Sequence, residues 1–212
     1  MSDLRTLSRE LTRIYRRYGQ KLPTKGGVPL YLTEYGYQTK PDPFFAAVTL
    51  SRQAAWINHA EYISFKNTNV RSMSQFLLVD DGPAAGFDVK KEPQVAWRTF
   101  QTGLVFANGK RKLAYRAYVT PLFVKQRTVR RGRTVGIFGM LRSAKPGTLQ
   151  TVRIQFRPKG RKRWRTQQTR KVGGARHYFE TRVRVPASGD LRLLWRDGSR
   201  LRMSRSEAIV AR

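Results

Sequence analysis

The tetrad Thr33-Glu34-Tyr35-Gly36 sets one carboxylate among hydroxyl, phenol and glycine neighbours, directly after the short apolar run Val28 to Leu32. Entered through the Gly26-Gly27 break, such a run suits a strand buried on both faces of a parallel sheet. Glu34 is then expected where the strand emerges, and the carboxyl ends of parallel strands are where barrel enzymes hold their reacting groups. That makes Glu34 a candidate catalytic group, against the plainer reading of a loop glutamate.

Composition limits the chemistry available to its surroundings. Without cysteine the chain has neither disulfides nor thiolate metal sites, and His59 and His177 are too few for a histidine cluster, so no metal site is expected. With 212 residues, 40% of them apolar, it is long enough for one large or two ordinary domains. No stretch approaches the roughly 18 apolar residues of a membrane helix, and Met1 to Glu10 reads as a polar helix rather than a signal peptide. The formal charge is +30 and uneven: residues 121 to 212 hold 25 bases and 4 acids, against 18 and 9 before them. A field of that sign attracts polyanions.

The elements needed to position these groups follow from periodicity. Leu4, Leu7, Leu11, Ile14, Tyr15 and Tyr18 recur at three and four, predicting a helix over residues 3 to 18 capped by Ser2 or Asp3 and ended by Gly19. After the Glu34 strand, Pro41 and Pro43 hold the chain extended, and Thr49 or Ser51 caps a second helix running to about Lys66. Val70 to Val79 reads as a second strand stopped by Asp80-Asp81-Gly82-Pro83. A third helix is expected from Leu113, beyond the Asn108-Gly109 turn. Beyond Val124 the period becomes two: Val152, Ile154 and Phe156, then Phe179, Val183 and Val185, then Leu191, Leu193 and Trp195 alternate largely with polar residues, many of them arginines. Turn signals at Lys145-Pro146-Gly147, Lys159-Gly160, Gly173-Gly174, Ser188-Gly189 and Asp197-Gly198 punctuate these strands, as in an antiparallel sandwich.

In order, Tyr31-Leu-Thr-Glu-Tyr-Gly-Tyr-Gln-Thr, Gln53-Ala-Ala-Trp-Ile-Asn, Val70-Arg-Ser-Met-Ser-Gln-Phe-Leu-Leu-Val-Asp-Asp and Thr102-Gly-Leu-Val-Phe-Ala-Asn-Gly resemble the C-terminal end of a cellulase-like retaining glycoside hydrolase. The resemblance implies residues 1–124 as the last two strands and flanking helices of a (β/α)8 TIM barrel; with the sandwich read from alternation over residues 125–212, the chain is expected to be α/β plus all-β. The resemblance also implies Glu34 as nucleophile toward a polysaccharide or oligosaccharide substrate, and no cofactor. Beside it, Tyr35 and Tyr37 are candidates to stack on sugar rings or to pack the rest of a barrel, and Gln75 and Asp80 to reach a sugar hydroxyl or to satisfy loop backbone amides. Retaining hydrolysis needs a second carboxyl group about 5 to 5.5 Å away, which the family carries in an Asn-Glu pair. No Asn-Glu dipeptide occurs in this sequence, so the chain is expected to be a catalytically incomplete part of a secreted, extracellular enzyme.

The sandwich, on its strand spacing, resembles the immunoglobulin-like accessory modules of secreted bacterial enzymes. Its densest run of charge interleaves Trp164 with Arg157, Lys159, Arg161, Lys162, Arg163 and Arg165. That run gives the rival reading of the whole chain: a non-catalytic binding protein for nucleic acid or an anionic cell-surface polymer. The competing explanation is a solvated hairpin, since arginines that alternate with core residues must point outward whatever they bind.

Overall fold

The computed structural model of the chain describes residues 3 to 41 and 47 to 212. These divide into two compact units, Met1–Lys112 and Leu113–Arg212. No helix among the described residues is long and apolar enough to cross a membrane.

The first unit opens with helix α1, Leu4–Arg17, with Asp3 at its N-cap; Ser2, the other candidate cap, lies outside the described residues. Its apolar stripe is helical in spacing yet mostly uncovered, with Leu4 buried and Leu7 and Ile14 each 44% exposed. Strand β1, Leu30–Tyr35, pairs in parallel with β2, Val70–Gln75, in the register Leu30 with Val70 and Tyr35 with Gln75. Parallel neighbours need a crossover, here α2, Leu50–Lys66. Thr49 caps it by accepting a hydrogen bond from the Arg52 backbone N–H at 3.2 Å, and Ala54, Ile57 and Ala60 form its buried stripe. Pro43, expected to hold the entry to this helix extended, lies outside the described residues. β2 stops four residues short of the predicted Val79, because Leu77 turns the chain at a φ of 66°. The long connection that follows holds one short helix, α3, Pro93–Ala96.

The second unit begins with α4, Leu113–Val119, and is otherwise β-structure. One sheet joins β3, Leu122–Val124, to β5, Thr134–Met140, and β5 to β8, Tyr178–Arg184. The larger sheet runs from β4, Thr128–Val129, through β11, Glu207–Ala211, β9, Gly189–Asp197, and β6, Gln150–Pro158, to the edge strand β7, Arg165–Val172. A hairpin strand, β10, Arg200–Met203, pairs with β9. Val135, Ile137 and Val183 from the first sheet and Ile154, Phe156, Leu193 and Trp195 from the second share one core, which makes the unit a β-sandwich. All five predicted turns separate consecutive strands or open one of them.

The barrel expectation is corrected by this topology. Among the described residues β1 and β2 form a two-stranded sheet by themselves, and the structure is mostly β in two further sheets, rather than part of a (β/α)8 TIM barrel followed by an immunoglobulin-like domain. A β-α-β passage specifies only that two strands lie parallel; the number of strands in the sheet is set by partners that local sequence does not encode. Similarly, strand spacing predicts an antiparallel sandwich without specifying its connectivity.

Candidate polyanion-binding surface

The basic run belongs to the β6–β7 hairpin. Strand β6 turns its apolar residues Val152, Ile154 and Phe156 into the core, leaving Arg153 exposed on the other face and Arg157 half-buried at the strand's end. The turn closes with the Arg161 N–H donating to the Pro158 carbonyl at 3.0 Å, and Gly160 supplies the φ of 77° that side-chain-bearing residues avoid. β7 then leaves along the sheet edge with only Val172 buried.

The six cations of this hairpin divide into two kinds. Arg157 is held: its guanidinium donates to Asp190 at 2.8 Å and lies 4.7 Å from the centroid of the Trp164 ring. Lys159, Arg161, Lys162, Arg163 and Arg165 are exposed and make no side-chain hydrogen bond or ion pair among the described residues. All four acids of this half are already engaged: Asp190 by Arg157, Asp197 by Arg202, Glu180 by Lys125, and Glu207 by Arg127 and Arg205. The free cations therefore face solvent with no carboxylate to neutralise them.

Arg192 completes the cluster, and no sequence spacing pointed to it. β6 and β9 place Gln155 opposite Arg192. Gln155 Oε1 accepts from Arg192 Nε at 2.9 Å, and the guanidinium reaches the Trp164 ring at 4.1 Å. Burial, followed by repulsion from Arg157 and Arg116, pulls the Arg192 guanidinium below its ordinary range. A cluster of like charges gains from an anion that neutralises it, and the Trp164 ring meanwhile offers its π face to both guanidiniums. The outward alternation along β9 is the one sequence signal that bears on Arg192.

The residues grouped around Glu34 are placed differently. Glu34 is exposed near the end of β1 and makes no hydrogen bond or ion pair among the described residues. Tyr35 and Tyr37 meet edge to face at 5.2 Å, and Tyr37 packs on Trp56 at 5.0 Å. Gln75 donates from Nε2 to the carbonyls of Phe76 and Thr102, at 2.7 and 2.8 Å. Asp80 is buried, accepting from Lys112 Nζ at 2.7 Å and from the Gly103 N–H at 2.8 Å. Lys112 directs its other donors to Thr39 Oγ1 and the Gln101 carbonyl, both at 2.9 Å. The Asp80 carboxylate is thus engaged inside the first unit, and burial raises its pKa while lowering that of Lys112.

No family model matches the chain, and no curated protein matches it. Among solved structures, a superoxide reductase (neelaredoxin) from Ignicoccus hospitalis is 10% identical over 46% of this chain and 85% of its own, at a TM-score of 0.38. Macromomycin is 14% identical over 44% of this chain and 99% of its own, at 0.30. A conjugative transposon lipoprotein from Bacteroides eggerthii is 16% identical over 43% and 97%, at 0.29. Because β1 and β2 pair only with each other among the described residues, the cellulase-like resemblance is corrected: short motifs around a β-α-β passage carried it, and that passage is common to many parallel pairs.

Proposed function

We propose that the second unit is a non-catalytic binding module for a linear polyanion, gripped through its repeating anionic groups. The observation that carries this is the set of five exposed cations, Lys159, Arg161, Lys162, Arg163 and Arg165, on one hairpin in a half whose acids are all engaged elsewhere. Arg157 and Arg192, fixed against Trp164, supply guanidinium forks of set orientation at the hairpin's base. Such forks match phosphate and carboxylate oxygens, and the exposed lysine and arginine tips add attraction that needs no sequence readout.

Fluorescence anisotropy of labelled single-stranded DNA, polyphosphate and polygalacturonate, with neutral dextran as control, tests the proposal. All three polyanions are expected to bind the chain, and replacing the five hairpin cations by serine should weaken each of them strongly. Binding unchanged by that replacement would show that the general charge of the chain, not the hairpin, holds the ligand.

A further inference from the structure

We infer that a groove along α1 in the first unit is a separate binding site for a small phosphorylated ligand of the sugar-phosphate class. The groove is open to solvent, offers about 440 Å³ and is lined by Ser8, Arg9, Thr12, Arg13, Arg16, Gly26 and Asn69. That volume falls within the range of small-molecule sites, roughly 300 to 1,000 Å³.

Arg9, Arg13 and Arg16 follow one another at spacings of four and three, so α1 presents all three on one side. Glu10 engages Arg13 Nε at 2.8 Å and Arg9 Nε at 3.5 Å, which leaves the terminal nitrogens of both forks available; Arg16 has no partner among the described residues. One carboxylate against three guanidiniums leaves the wall positively charged. Ser8 and Thr12 do not compete for a ligand's acceptors, because their hydroxyls donate to the Leu4 and Ser8 carbonyls, each at 2.8 Å.

Asn69 on the opposite wall gives the site its direction. The residue is only 8% exposed, and its side-chain amide makes no hydrogen bond among the described residues. Its backbone, by contrast, is satisfied by Asn67 Oδ1 and the Leu30 N–H. The amide's oxygen and nitrogen are not sealed from solvent, so a ligand in the groove can reach both. The amide stands beside Gly26 and Gly27, where a side chain would intrude: a Cβ at Gly27 would lie 2.7 Å from Thr12 Oγ1 and 3.4 Å from Asn69 Nδ2. Three guanidiniums suit an oxyanion carrying more than one charge. An amide that both donates and accepts suits a hydroxyl on the same ligand.

Titration calorimetry with glucose 6-phosphate, inorganic phosphate and glucose tests this, using the full chain with its five hairpin cations replaced so that the second unit does not mask the result. Glucose 6-phosphate is expected to bind about tenfold more tightly than phosphate, and glucose not at all. Arg16→Gln, at an exposed helix position, should weaken the sugar phosphate about tenfold, and Asn69→Ala should remove its advantage over phosphate. Equal binding of the two anions would mean a free oxyanion only and would overturn the assignment. So would binding indifferent to Arg16→Gln, or no saturable binding. Each result concerns the first unit alone and leaves the hairpin proposal standing or falling by itself.

Discussion

Arg192 rests its guanidinium 4.1 Å from the centre of the Trp164 ring, although 28 residues and two strands separate them in sequence. The ring also carries Arg157, so one indole orients two cations from adjacent strands. If these forks grip the polyanion, Trp164→Ala should loosen both. At about 0.5 to 1 kcal/mol for each cation–π contact, the expected loss is roughly five- to thirtyfold in affinity. Trp164→Phe should retain most of the binding. Anisotropy titrations of both variants check this, and an unchanged affinity for the alanine variant would assign Trp164 to packing alone.

The hairpin cations predict a salt signature. Each phosphate neutralised on a single strand contributes about −0.7 to the slope of log affinity against log salt, so five contacts give about −3.5. Replacing Lys159, Arg161, Lys162, Arg163 and Arg165 by serine should flatten the slope by about that amount. Titrations on DNA at several salt concentrations measure it. A slope that stays steep would place the contacts elsewhere on the chain.

The sandwich was legible in sequence where its strands have two chemically different faces. Ile154 between Arg153 and Gln155 announces both a strand and its inward side, and β9 reads the same way through Leu191, Leu193 and Trp195. β7 escaped because an edge strand with only Val172 buried carries no apolar alternation. In the first unit, the β-α-β passage was readable, but the size of its sheet was not. The site followed the same division. The cations of the hairpin are consecutive and visible, whereas Arg192 joins them only through the pairing of Gln155 with its strand. Asp80 likewise gives no sign in sequence that Lys112, 32 residues on, will take up its charge.

That ion pair sets a stability prediction. Lys112 and Asp80 have side chains 0% and 3% exposed, and Lys112 places three donors on three acceptors. Lys112→Met should cost about 3 to 5 kcal/mol, because it strands the Asp80 carboxylate in the interior. Adding Asp80→Asn removes the stranded charge while keeping an acceptor for the Gly103 N–H, and should recover much of that loss. Urea unfolding of the two variants and the parent measures the coupling. A single substitution costing under about 1 kcal/mol would mean that the unpaired carboxylate reaches water.

Tyr35 links the stability of the first unit to alkaline pH. Burial, assisted by Tyr37 and by the negative charge of Glu61, raises its phenol far above the ordinary tyrosine range, and burial raises Tyr37 as well. The folded chain therefore keeps the Tyr35 proton while the unfolded chain releases it near pH 10. Since the folded state then binds more protons, stability is fully present below about pH 10 and falls as the pH rises past it, approaching about 1.4 kcal/mol per pH unit for this one group. Tyr35→Phe removes the titrating hydroxyl and keeps the ring against Tyr37, so its urea midpoint should decline less steeply between pH 9 and 11 than that of the parent. Tryptophan fluorescence follows the transition. Parallel pH profiles for the two chains would show that the Tyr35 phenol ionises as freely in the folded state as in the unfolded one.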